Sequence, residues 1–327
     1  MNILYIIGNG FDLAQDLKTK YEDFYPYYLK CESPNEAVKL MKKDIDEKVG
    51  DWSDMELAMG AFTKKVNSVE TLNELYFDLS DRLSEYLKME SAKYNFSRNT
   101  KIINDFCEPY HYLESLDERI YLDYISYGAK DGREIGTINI VTLNYTNTIE
   151  QFLGFPSNDT YVYSSGKYRI GNVCHIHGFL DDTILLGVND EQQIANDLFK
   201  TEPAVRDYLI KKEAIASMRT YNELLCENYI NTSDIIVLFG VSLGATDMYL
   251  WDKIVKRMNG LNMPLLVYFQ HSKEVIPNTR RQLLGRKMVA VRKFLYDRMR
   301  IPEKLQSEAR ILIGYNKDIF KIKRTNK

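Results

Sequence analysis

A short apolar run, ILYII at residues 3–7, breaks at once into Gly8-Asn9-Gly10. A five-residue run this rich in isoleucine predicts a strand buried on both faces, as in a parallel sheet. No comparable run appears until INIVTLN at 138–144. Between the two, apolar positions repeat with the period of a helix. Trp52, Met55, Met59, Phe62 and Val66 form one such stripe. Leu72, Leu75, Tyr76, Leu79, Leu83, Tyr86 and Leu87 form another. Trp52 belongs to its stripe and is expected in a core.

After residue 138 the pattern alternates. INIVTLN is followed by a helical TNTIEQFL. NVCHIHG and TILLGV read as short strands, and a long helical stretch follows at about 190–230. IIVLFGV (235–241) and PLLVYFQ (264–270) are further apolar strands, with a helix through Met248–Arg257 between them. KMVAVR (287–292) reads as one more strand. Apolar strands alternating with helices predict a parallel sheet covered on both faces. Ligands of such sheets sit beyond the carboxyl ends of the strands.

That rule organises the polar residues. The first strand ends at Gly8-Asn9-Gly10, the next at Asn144-Tyr145-Thr146. The third ends at His177-Gly178, and the fourth at Gly240-Val241-Ser242 with Asp247 close behind. Four polar or small clusters on one sheet edge predict one cleft. Gly8 and Gly10 permit a close backbone approach to a pyrophosphate, or serve a tight turn alone. Asp12 is a helix cap or a ribose contact. Thr19 and Lys18 either touch a phosphate or lie on a solvated surface. Ser242 and Asp247 hold a ribose or cap the helix starting near Thr246. Asp54 and Glu56 flank the Trp52 stripe and read as solvated acids, with a place facing the cleft as the alternative.

Composition narrows the class. Of 327 residues, 45% are hydrophobic and 27% charged, which fits a globular chain with a sizeable core. The net charge of −3 supplies no field that would attract nucleic acid. The basic tail KDIFKIKRTNK reads as a solvated terminus. Cys31, Cys107, Cys174 and Cys226 form no CxxC pair, so no zinc ribbon is written here, and scattered cysteines fit a reducing cytoplasm. With no signal-peptide pattern and no long apolar run, a cytoplasmic protein without a membrane partner is expected.

GNGFDLAQDLKTKYEDF, DWSDME, TLNYTNTIE, HIHG and FGVSLGATD, in this order, resemble the AbiH family of bacterial abortive-infection proteins. That family is similar to the sirtuin-like NAD-binding fold, which also has a glycine turn, an Asn motif, a His-Gly pair and a late Gly-x-Ser. Gln15-Asp16 stand where AbiH-like chains commonly carry His-Gly. The zinc cysteines of sirtuin deacetylases are absent, and Asn9 and Asp12 replace their usual residues, so deacetylation is disfavoured.

The resemblance implies a Rossmann-like parallel sheet with a sirtuin-like core at 1–24 and 136–300. A large helical insertion at 25–135 would form a second lobe over the sheet edge, and 301–327 a C-terminal segment. It also implies antiviral defence through cleavage of NAD, as substrate, to nicotinamide and ADP-ribose. Gly8, Asn9, Gly10, Asp12, Thr19, Gly240, Ser242 and Asp247 would bind the nucleotide. Asn144 would position water or ribose, and His177 would act as base, since an imidazole titrates near neutral pH. A phage trigger or a homo-oligomer stays open as partner. Two other readings remain: a nucleotide sensor without turnover, and a metal-dependent hydrolase or nuclease built on His175 and His177. No metal is expected in the leading reading.

Overall fold

The computed structural model describes residues 1–107, 109–113, 116, 137–154, 169–218, 221–272, 274, 276–277, 279–316 and 318–322. Residues 117–135 of the expected insertion and 323–327 of the basic tail lie outside the described residues. Six strands form one all-parallel sheet: β1 (Ile3–Ile7), β2 (Thr137–Thr142), β3 (Arg169–His175), β4 (Ile235–Phe239), β5 (Leu265–Gln270) and β6 (Ile311–Tyr315). Their order is β3-β2-β1-β4-β5-β6. The order reverses between β1 and β4, and such a switch point opens a crevice at the carboxyl edge.

β1 and β4 are apolar throughout because both of their faces are covered, whereas β2 carries Asn139 and the edge strand β3 carries Arg169, Asn172 and His175. Leu4 and Ile6 pack with Ile236, Leu238, Leu266 and Trp251 on one face. Ile3, Tyr5 and Ile7 pack with Ile138, Ile140, Val237 and Phe239 on the other. Burying each such side chain contributes about 1.5–3 kcal/mol. A third core is helical. The helices Tyr21–Tyr28, Glu36–Glu47, Met55–Phe62 and Val69–Ala92 lie between β1 and β2. Their apolar stripes meet around Trp52, Met55, Leu72 and Leu79, and Leu186, Val188, Val205 and Leu209 from the β3–β4 connection complete the cluster. Trp52 is buried there as expected.

Several local expectations are corrected. KMVAVR lies inside the helix Arg281–Arg298, because six alternating residues also fit a helix whose buried positions are Val291 and Leu295. TILLGV is not a sheet strand; only Ile184 and Val188 form isolated bridges, to Gly178 and Ile210. The stretch at 190–230 contains separate short helices, including Pro203–Leu209, Lys211–Ser217 and Asn222–Thr232. The edge strand β6 had no counterpart in the sequence pattern. The tail does not begin as a solvated terminus: Ile319 and Phe320 are buried in the sheet core. Among the described residues, no helix is long and apolar enough to cross a membrane.

Candidate functional site

A cleft of about 520 Å3 opens at the carboxyl edge of the sheet. Gly8–Gly10, Asn144, His177, Ser242 and Asp247 line it, together with Tyr21, Asp54 and Glu56 from the helical segment. The expected strand ends thus converge on one cavity of a size usual for small-molecule sites.

The glycine turn is shaped by its neighbour. Gly8 N–H donates to the Phe239 carbonyl and Gly10 N–H to the Gly240 carbonyl, both at 2.9 Å. Gly240 has φ +68°, and a Cβ on Gly10 would stand 2.4 Å from Gly240 Cα. The glycines are therefore required by the packing of the two turns, whatever the cleft binds. Asn9 Nδ2 donates to the Thr19 carbonyl at 3.0 Å, and the Thr19 hydroxyl donates back to Asn9 Oδ1. Thr19 is thereby buried at the cleft, against the solvated reading, whereas the side chain of Lys18 is on the exposed surface.

Beneath the floor lies a buried polar network. Asp12 does not cap its helix. Its Oδ2 accepts from the Thr146 hydroxyl at 2.6 Å, while its Oδ1 is buried without a partner. Burial pushes the Asp12 carboxyl up to about 6, with Glu150 adding to the rise and Thr146, Thr148 and His175 opposing it. His175 places one ring nitrogen 2.6 Å from Glu150 Oε1 and the other 3.0 Å from the Asn144 carbonyl. Burial disfavours its charge, but Glu150, the Asn144 carbonyl and Asp12 together hold its pKa above the ordinary value. His175 so fixes the backbone of Asn144. The Asn144 side-chain Nδ2 is itself buried and has no hydrogen-bond partner among the described residues.

His177 stands in the turn after β3. The following Gly178 has φ +75°, and a Cβ there would strike the Thr183 carbonyl at 1.8 Å. This explains the His-Gly pair. Nε2 of His177 lies 3.3 Å from Asp247 Oδ1 and 3.1 Å from the Tyr249 hydroxyl. Among the described residues, Nδ1 has no hydrogen-bond partner. The imidazole thus has one nitrogen oriented by a carboxylate and one left for the cleft, the relation expected of a base and its orienting group.

Behind Asp247 is a group that no sequence motif singles out. Lys211 Nζ donates to Asp247 Oδ1 at 2.6 Å and to Glu56 Oε2 at 2.7 Å. The ammonium is buried, at 1% exposure. Its site is built by Val188, whose carbonyl accepts from Lys211 N–H at 2.9 Å. Glu56 is buried rather than solvated, and also accepts from Thr246 Oγ1 at 3.0 Å and Gly187 N–H at 3.3 Å. Asp54 caps the Met55–Phe62 helix through Leu57 N–H at 3.1 Å and so sets Glu56 in its first turn. Burial alone would favour neutral acids. Lys211 and His177 outweigh it at Asp247, whose carboxyl falls well below the usual range. At Glu56 burial and the nearby Asp247 charge prevail over Lys211, and its pKa is raised. Lys211 loses by burial but gains more from the two carboxylates, so its pKa is raised as well.

Neither Asp247 nor Ser242 caps the helix Met248–Met258. Asp247 makes no side-chain cap, and Asn189 Oδ1 accepts from Tyr249 N–H at 2.7 Å instead. Ser242 is exposed at the cleft mouth. His175 and His177 do not form a shared pair: both nitrogens of the first are engaged, and the second turns to Asp247. Among the described residues, no group of three His, Cys, Asp or Glu side chains is placed to hold a metal.

An all-parallel sheet with one polar cleft at its switch point defines an α/β protein of the doubly wound, Rossmann-like class. More narrowly, the chain belongs to the bacteriophage abortive infection family AbiH, whose model matches residues 4–269. No curated protein matches the chain.

Proposed function

We propose that the cleft binds a nucleotide and hydrolyses the N-glycosidic bond of NAD, within the phage-defence role that the family suggests. The observation that carries this reading is the pairing, in one cleft, of Asn144 and His177, whose Nδ2 and Nδ1 respectively have no hydrogen-bond partner among the described residues. In the reaction the C1′–N bond of the nicotinamide ribose breaks, and its electron pair goes to the pyridinium nitrogen. Neutral nicotinamide leaves. Water oxygen bonds to C1′, and the proton it loses passes to His177 Nδ1 and then to solvent. Positive charge grows on the ribose during cleavage, and a water held in line with C1′ by the Asn144 side chain lowers that barrier. The remaining product is ADP-ribose.

A second reading has its own support. The Gly8 and Gly10 amides already serve carbonyls of β4 and the turn after it, so the turn offers a pyrophosphate fewer donors than a free glycine loop. That favours a mononucleotide-sized ligand, held by a sensor that does not turn it over. The test is nicotinamide release from NAD by purified protein, with Asn144→Ala and His177→Ala alongside. Release that both variants lose, with ADP-ribose still binding, supports the enzyme. Binding without release by wild type supports the sensor, and neither binding nor release removes NAD as ligand.

A further inference from the structure

Lys211 lies outside every motif that pointed to the cleft, yet its ammonium is buried beside it. Three geometric facts set its role. Its Nζ reaches Asp247 Oδ1 at 2.6 Å, and that same oxygen lies 3.3 Å from His177 Nε2. Its other carboxylate, Glu56 at 2.7 Å, belongs to the helix Met55–Phe62 and also accepts from Thr246 Oγ1. The imidazole and the ammonium thus share one carboxylate oxygen, and the ammonium ties the helical segment to the turn after β4.

The sharing has a consequence for the imidazole proton. An ionised carboxylate only accepts hydrogen bonds, whereas a neutral carboxyl also donates one. Buried without the ammonium, Asp247 would tend to hold its own proton and could donate it to Nε2. With the ammonium on Oδ1 it accepts, which favours the hydrogen on Nε2. Tyr249 Oη, 3.1 Å from Nε2, can accept from the same N–H. The lone pair then falls on Nδ1.

We propose that Lys211 is a positioning residue for His177: it holds Asp247 as an acceptor, which fixes the imidazole hydrogen on Nε2 and leaves Nδ1 bare for the cleft. Glu56 anchors the same ammonium to the helix Met55–Phe62, so the tautomer is set only when that helix is docked on the turn that carries Asp247. The use of Nδ1 as base rests on the reading given above; the tautomer itself does not.

The experiment reads the tautomer directly. Imidazole 15N–1H spectra of histidine-labelled protein contain four residues, His111, His175, His177 and His271, and His177→Gln assigns the signal. Wild type is expected to show His177 as the Nε2–H form. Lys211→Met is expected to convert a large part of it to the Nδ1–H form, and Lys211→Arg to restore Nε2–H. Should Lys211→Met fail to fold, the double variant Glu56→Gln/Lys211→Met tests the same link, because it removes the ammonium while stranding one carboxylate rather than two. An Nδ1–H signal in wild type overturns the proposal, as does an unchanged tautomer in Lys211→Met or, where that fails to fold, in the double variant. On folded variants, nicotinamide release should fall on the order of a hundredfold while ADP-ribose affinity stays within about threefold, the pattern of a misdirected base. A wild type that shows Nε2–H but releases no nicotinamide sinks the NAD reading and leaves the positioning role of Lys211 intact.

Discussion

Gly10 and Gly240 meet backbone to backbone at the switch point of the sheet. The Gly10 N–H donates to the Gly240 carbonyl at 2.9 Å, and a Cβ built on Gly240 would lie 2.7 Å from Gly10 Cα. The floor of the cleft is made where these two turns touch. Gly10→Ala must push them apart, and overpacking of this kind costs about 1–3 kcal/mol. Urea unfolding should show that loss, together with weaker nucleotide binding. A variant as stable as wild type would mean that the turns separate freely.

The buried ion cluster predicts unequal costs for its members. Lys211→Met strands two carboxylates, Glu56 and Asp247, in a buried site, and breaking such a pair costs about 3–5 kcal/mol. Glu56→Gln leaves Lys211 still paired with Asp247 and should cost less. The double variant should be more stable than the sum of the two predicts, because a neutral amide in place of the Glu56 carboxylate lessens the repulsion left by the missing ammonium. Additive losses in a denaturant double-mutant cycle would show that the groups do not interact.

Asp12 predicts a pH dependence. Its native carboxyl titrates at about 6, above the ordinary value of 3.8. The native state therefore binds this proton more tightly than the unfolded chain. Its contribution to stability is fully present below the unfolded pKa and is lost as pH rises through about 6. Above that the deficit is about 3 kcal/mol, from the gap between the native and unfolded values. Asp12→Asn removes the titration. The variant's stability relative to wild type should therefore rise between about pH 4 and pH 7.5 in paired urea titrations. A constant difference across that range would show that Asp12 stays ionised in the native state.

Phe320 predicts that the C-terminal segment is structural. Its ring is fully buried, with Phe106 at 4.4 Å and Phe239 at 5.0 Å between centroids, and its carbonyl accepts from Gln15 Nε2. Phe320→Ala should cost about 3–5 kcal/mol. Thermal unfolding indistinguishable from wild type would place the segment outside the folding unit.

Much of the sheet was legible in the hydrophobic pattern alone, because a strand buried on both faces must be apolar at every position. ILYII, IIVLFGV and LLVYFQ carry that signature, and the polar residues after the first four strands, at Asn9, Asn144, His177 and Asp247, marked the cleft edge. Short segments were not legible. KMVAVR and TILLGV are too short for alternation to be distinguished from a helix face or an extended loop, and ILIGY at 311–315 passed unnoticed in a charged tail.

What the sequence by itself determined was β1 to β5 and which of their ends are polar, since burial dictates composition locally. What only the tertiary structure decided was the company each polar group keeps. Glu56 read as a solvated acid and Lys211 drew no reading, because most such residues are solvated. They lie 155 residues apart, and no local pattern links them. A charge enters a protein interior only when folding brings its counter-charge to the same place, and that pairing is a property of the folded chain.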